Sequence, residues 1–229
     1  MERYNVISHK NPREIVLLKA FPCKWGKCFF CDYTDDNSED EKSMNELNAR
    51  VLSHVTGEKG VLEIINSGSC FELPENTLGE IKRIAGEKGI RRLFFESHWM
   101  YRHRLNGLRE YFGIPITYKT GVESFHNEFR EKVLNKHADF KTPEEVAEYF
   151  DSPCIMTCIK GQTKEMIDYD ICTLKKYFKL GTVNVFTDNS TKIKRDPELV
   201  KWFFKEYSWL RDDPSVEVLY ENTDFGVGD

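Results

Sequence analysis

Nowhere in its 229 residues does this chain carry an apolar run near the roughly 20 residues that a helical bilayer crossing needs, so a membrane-spanning class is excluded. The opening MERYNVISHK lacks the apolar core of a signal peptide, which makes the cytoplasm the expected location. No Gly/Ser-rich or Pro-rich linker interrupts the chain and no segment repeats, so a single domain over 1–229 is expected and a solenoid is not. Positive charge is not in surplus. With 33 Lys and Arg against 38 Asp and Glu, the net charge of −5 argues against a broad nucleic-acid face. An even cysteine count is also missing: seven fits a reducing compartment better than a disulfide framework. Finally, Cys23, Cys28 and Cys31 have no fourth Cys or His at short spacing, which a closed tetrahedral zinc site would require.

What is present is a chain built to pack. A hydrophobic fraction of 40% and an aromatic fraction of 13% belong to a globular protein that needs no disulfide support. Short β-branched and aromatic runs at 15–18, 61–65, 93–95, 116–118, 154–159, 183–186 and 216–220 read as strands buried on both faces. Helical spacing separates them, as in Met44, Leu47 and Val51, in Leu78, Ile81 and Ala85, and in Ile167, Ile171, Leu174 and Phe178. Thr142-Pro143 and Asp196-Pro197 read as helix starts, and Gly60, Gly89, Gly113 and Gly181 as stops before strands. Repeated βα units with right-handed crossovers give an α/β fold, a partial TIM-like barrel of parallel strands with a short C-terminal strand and tail. Functional groups in such a fold gather at the C-terminal strand ends, where the cysteine loop falls.

Three thiolates on one loop can hold three irons of a 4Fe–4S cubane and leave the fourth iron open to a small chelating molecule. The remaining cysteines, Cys70, Cys154, Cys158 and Cys172, lie in apolar surroundings and read as small buried hydrophobes. After the second strand, Asn66-Ser67-Gly68-Ser69 is a turn whose glycine admits close approach of a ligand and whose carbonyls and hydroxyls accept from an ammonium group.

These residues resemble the radical S-adenosylmethionine (SAM) superfamily, over most of the chain. The family spacing places three residues between the first two cysteines, whereas here Lys24-Trp25-Gly26-Lys27 makes the loop one longer; the aromatic before the last cysteine is matched by Phe30. The Ser-Gly-Ser turn resembles the elongator-catalytic-subunit-like branch. The resemblance implies a (β/α)₆ partial barrel, a cluster on Cys23, Cys28 and Cys31, and SAM held by Phe30, Asp32, Asn66, Ser67, Gly68, Ser69, Glu96, Ser97 and Glu123. It also implies reductive cleavage of SAM to a 5′-deoxyadenosyl radical that abstracts hydrogen from a substrate at the barrel mouth, with flavodoxin or ferredoxin as electron donor. For Glu123 and Glu96 the ordinary reading, an acid paired with Lys119 or capping the next helix, stands beside this one.

Within the superfamily, the compact length and the acid-and-aromatic tail at Asp224-Phe225 resemble the queuine lyases, which cleave a 7-deazapurine for queuosine salvage. That implies a small-molecule, nucleobase-like substrate, with Asp224, Phe225 and Asp188 as substrate-binding residues and Glu96 or Glu123 as further acids for a guanidine-like edge. His98 is a candidate proton donor, though a satisfied histidine is the commoner case. A terminal turn is the ordinary reading of the tail. A radical SAM enzyme acting on tRNA and a non-enzymatic cysteine-rich metal-binding protein are the rival classes. A homodimer would close the mouth of so short a barrel.

Overall fold

Each strand run expected from the sequence forms a strand in the computed structural model, which describes residues 1–221 and 223–228. In chain order the elements are β1 (Tyr4–Ile7), β2 (Arg13–Leu18), α1 (Glu41–Leu52), β3 (Val61–Asn66), α2 (Glu75–Glu87), β4 (Arg92–Glu96) and α3 (Leu105–Phe112). They continue with β5 (Ile116–Glu123), α4 (Pro143–Tyr149), β6 (Ser152–Thr157), α5 (Lys164–Tyr177), β7 (Gly181–Val185), α6 (Pro197–Glu206) and β8 (Val216–Leu219). The strands follow one another in chain order. Strands β2 to β4 and β5 to β8 pair in parallel, and β1 adds to β2 antiparallel. This is the expected α/β order of a partial TIM-like barrel.

The chain divides into two compact units: 1–26, 33–118 and 225–229 in the first, 27–32 and 119–224 in the second. In the first, register sets Val16 beside Ile64 and Ile64 beside Phe95, a row in which each side chain is fully buried. In the second, Ile155, Val183 and Val218 form the matching row. Each buried aliphatic of this size contributes roughly 1.5–3 kcal/mol by leaving water.

Helix starts follow the caps that the sequence announces. Thr142 accepts from Glu145 N at 3.4 Å, and Asp196 accepts from Glu198 N at 2.9 Å and Leu199 N at 3.1 Å. Gly113 closes α3 in the left-handed conformation, as expected. Gly181 does not act as a stop: it is the first residue of β7, and a Cβ there would lie 2.8 Å from Leu174 Cγ, so its role is close helix-on-strand packing. Likewise β6 ends at Thr157, short of the expected 159, because Cys158 turns the backbone left-handed at φ +64.

Candidate functional site

In the first unit the turn after β3 is held from within: Gly68 N donates to Asn66 O at 2.8 Å and Asn66 Nδ2 to Ser69 O at 3.0 Å. Gly68 adopts φ +151, and a Cβ on it would lie 3.1 Å from Glu72 Oε2 and 3.4 Å from Cys23 Cβ. The turn therefore runs against Cys23, and its positive φ is a conformation that favours glycine. Ser69 Oγ accepts from His98 N at 2.7 Å and stands 3.5 Å from Ser97 Oγ. Cys23, Asn66, Gly68, Ser69, Ser97 and His98, six of the residues singled out in the sequence, are thus brought together, with Ser67 half-buried inside the same turn. His98 Nδ1 accepts from Met100 N at 3.2 Å, which places the proton of the neutral ring on Nε2.

Glu72, which sequence reasoning passed over, sits behind this arrangement. Its buried carboxylate accepts from Ser69 N, from Tyr101 Oη at 2.7 Å and from Lys24 N at 3.3 Å. Burial raises its pKa, opposed by those three hydrogen bonds, and burial together with Glu72 raises that of Tyr101. The adjoining Cys70 thiol is completely buried and held protonated by burial and by the Glu72 charge, so it is the inert residue the sequence indicated. A start signal, Ser69 three residues before Glu72, was present in the sequence as a capping box.

In the second unit Cys28 and Cys31 border an apolar cluster of Phe30, Phe129, Leu134, Met156, Ile159 and Phe186. Their flanks are pinned by main-chain and amide contacts. Phe29 N donates to Leu134 O at 2.9 Å, Asn135 Nδ2 to Lys27 O at 2.7 Å, and Asn189 Nδ2 to Phe30 O at 2.7 Å. Asp32 accepts from Ser190 N and Ser190 Oγ, both at 3.1 Å, and from Asn189 Nδ2 at 3.3 Å, so its carboxylate ties down the loop after β7. Asn135, Asn189 and Ser190 carried no local signal in the sequence.

Glu123 ends β5 at a register shift, with φ +63, a costly conformation for a non-glycine residue. It is buried and paired with Lys136 Nζ at 2.6 Å, and Lys136 also lies 5.7 Å from the Phe30 ring centroid. A Cβ on Gly121 would collide with this pair. Glu96 closes β4 and is half-buried.

The two loop acids expected to read a substrate accept from nearby main-chain amides. Asp188 is exposed and accepts from Arg195 N at 2.6 Å; Asp224 is exposed and accepts from Tyr220 N at 2.6 Å and Glu221 N at 3.1 Å. Both close local turns, because a short carboxylate beside free amides satisfies them first. Phe225 lies 5.2 Å from the Arg13 guanidinium at the start of β2, and its carbonyl accepts from Asn5 Nδ2 at 2.8 Å. The ring thus packs toward the N-terminal end of that strand instead of standing beyond its C-terminal end.

The residues fit an iron–sulfur cluster and an ammonium-bearing ligand by their chemistry. Cys23, Cys28 and Cys31 are half-buried thiols outside any disulfide. Among the described residues no three Cys, His, Asp or Glu side chains converge on a single point as a lone metal ion would require. A cubane does not require it, since each thiolate takes a different iron. Asn66 Oδ1 is buried without a hydrogen-bond partner, an open acceptor in the turn.

A parallel α/β fold with three cysteines after β2 and a glycine turn after β3 against the first of them defines the radical SAM class. No family model matches the chain. Over 100% of both chains it is 54% identical, at a TM-score of 0.99, to the queuine lyase from Clostridium spiroforme bound to SAM and queuine. The chain belongs to the queuine lyase family. An uncharacterized protein of Methanocaldococcus jannaschii is 27% identical over 138 residues, 53% of this chain and 38% of that protein's length. The radical SAM methyltransferase TsrM from Kitasatospora setae, with cobalamin and a 4Fe–4S cluster bound, is 12% identical at a TM-score of 0.47, covering 73% of this chain and 36% of that one.

Proposed function

We propose that this chain is a SAM-dependent radical lyase that converts queuine to 7-aminomethyl-7-deazaguanine by C–N cleavage. The observation that carries the reading is its full-length, 54% identity to a queuine lyase bound to SAM and queuine. Bound together, cluster and SAM supply a one-electron cleavage and a hydrogen-abstracting radical; the protein supplies position and exclusion of water.

In this reading Cys23, Cys28 and Cys31 hold three irons. The Asn66–Ser69 turn receives the amino group of SAM, with Asn66 Oδ1 as the acceptor waiting for an N–H donor. Ser97 and Glu123 are further SAM-binding residues in this reading, and Phe30 and Asp32 keep the Cys31 flank in place. Glu96, half-buried at the end of β4, is the acid assigned in this reading to the guanidine-like edge of the base. His98 Nε2 is the candidate proton donor. A flavodoxin or ferredoxin supplies the electron, the cytoplasm keeps the thiols reduced, and a homodimer is the working assembly. Among the described residues no helix is long and apolar enough to cross a membrane.

Anaerobic reconstitution followed by EPR and product analysis tests the proposal. A reduced cluster whose signal changes on SAM addition, with queuine converted to the aminomethyl base, is the expected result. Turnover that needs tRNA in place of free base would transfer the chain to the RNA-modifying alternative. Uptake of zinc with no response to SAM would leave only the metal-binding one.

A further inference from the structure

We infer that Glu72 is the positioning residue that locks the Cys23 segment to the Asn66–Ser69 turn, so that filling the turn and setting the Cys23 thiolate are one coupled event. This rests on the reading above that the turn receives SAM and that Cys23 holds an iron.

The geometry is specific. Glu72 brackets Cys23 from both sides: its backbone carbonyl accepts from Phe21 N at 3.0 Å, and its side-chain Oε1 accepts from Lys24 N at 3.3 Å. The same Oε1 accepts from Tyr101 Oη at 2.7 Å, while Oε2 takes Ser69 N and lies against Gly68. One carboxylate therefore joins the cysteine loop, the turn and the segment after β4. Helix capping alone would need only the Ser69 contact, and it would not need burial. Nor would it explain why the Tyr101 phenol is aimed so firmly: its ring stacks on Phe71 at 4.9 Å, with the Arg104 guanidinium 4.6 Å and 5.4 Å from the two rings. A carboxylate is the one side chain of this length that accepts on both ends. An amide in its place would turn an NH₂ toward at least one of the three donors.

The test uses Glu72→Gln and Tyr101→Phe beside wild type, each reconstituted anaerobically. Iron content, apo-protein thermal midpoint, hydrogen exchange of segment 21–27, and EPR of the reduced cluster across a SAM titration are measured. Glu72→Gln should keep wild-type iron content and the SAM-free EPR signal, yet raise the SAM dissociation constant about tenfold and speed exchange at Lys24. Tyr101→Phe should shift the same two quantities in the same direction by about threefold. Unchanged SAM affinity in both variants overturns the coupling. So does a loss of affinity that merely tracks lost iron, which would make Glu72 a structural support of the cluster loop. Should Glu72→Gln fail to fold, Tyr101→Phe carries the decision alone. A wild-type cluster indifferent to SAM would instead overturn the reading of the turn, and would do so whatever the variants show.

Discussion

The two flanks of the cysteine loop are held by opposite strategies. On the Cys23 side one buried carboxylate, Glu72, collects donors from three chain segments. On the Cys28 and Cys31 side the hold is spread over Leu134 O, Asn135, Asn189 and Ser190, with an apolar cluster beneath. A single multivalent anchor transmits a change at one end to the other, because one carboxylate carries contacts to all three segments. A distributed anchor fixes position and tolerates the loss of any one member. The first unit is thus arranged to couple, the second to brace.

The largest effect should make the flanks indistinguishable. Replacing Cys23, Cys28 or Cys31 by Ala should each abolish turnover, by about 10³-fold or more, and remove cluster iron, whereas Cys70→Ser should retain both. Iron analysis and deoxyadenosine release measure this. A Cys70 variant that lost the cluster would break the comparison at its base.

Next comes the strained end of β5. Gly121→Ala would drive a methyl group into the Glu123–Lys136 pair, and breaking a buried pair costs roughly 3–5 kcal/mol. Lower denaturant midpoints are expected for this variant, together with loss of SAM binding out of proportion to lost stability. Glu96→Gln should leave the midpoint within about 0.5 kcal/mol but lower kcat/KM for queuine by about ten- to a hundredfold, through loss of a charge-assisted contact. Equal kcat/KM would remove Glu96 from the substrate edge.

Smaller still is the brace. Asn189→Ala removes the contacts to Phe30 O and Asp32 and should cost about 1 kcal/mol, with SAM affinity changed less than twofold. Asn135→Ala should do no more, and the two together should add, since each grips a different carbonyl. A tenfold loss of SAM affinity in either single variant would show that the second unit couples as the first does.

What could be read in advance follows the same division. The strands, the helix starts and the cysteine loop are local patterns, and each was legible from spacing and cap chemistry. The Asn66–Ser69 segment was legible as a turn because it follows a strand and carries a glycine. Glu72 with Tyr101, Phe30 with Asn189, and Glu123 with Lys136 were not, since each pairing joins residues that no periodicity relates. β1 escaped as well: Tyr4-Asn5-Val6-Ile7 is short and half-buried throughout, with too little alternation to distinguish it from a loop. The backbone contacts of Asp188 and Asp224 were not legible either, because an acid in a loop looks the same in sequence whether it faces a ligand or its own backbone.

The smallest effect on the cluster is expected from what stands behind the brace. Asp170 on α5 accepts from Ser124 Oγ at 2.8 Å and Phe125 N at 2.7 Å. Arg130 donates to the carbonyls of Ser124, Ala138 and Phe140 at 3.0, 2.9 and 3.1 Å, and together they shape the segment that presents Leu134 and Asn135. Burial pushes the Asp170 pKa up to about 7, with Ser124, Phe125 and Arg130 opposing. A carboxylate with a raised folded-state pKa binds its proton more tightly when folded, so its contribution is full below about pH 4 and is lost as pH rises through about 7. Asp170→Asn keeps an acceptor for Phe125 and a donor for Ser124 but cannot titrate. The difference in stability between variant and wild type, measured by urea unfolding, should therefore move in favour of the variant between about pH 4 and pH 7. Iron content should stay level, because the amide preserves the segment that the brace depends on. A difference flat in pH would mean that Asp170 is ionised in both states, with its charge balanced by Arg130.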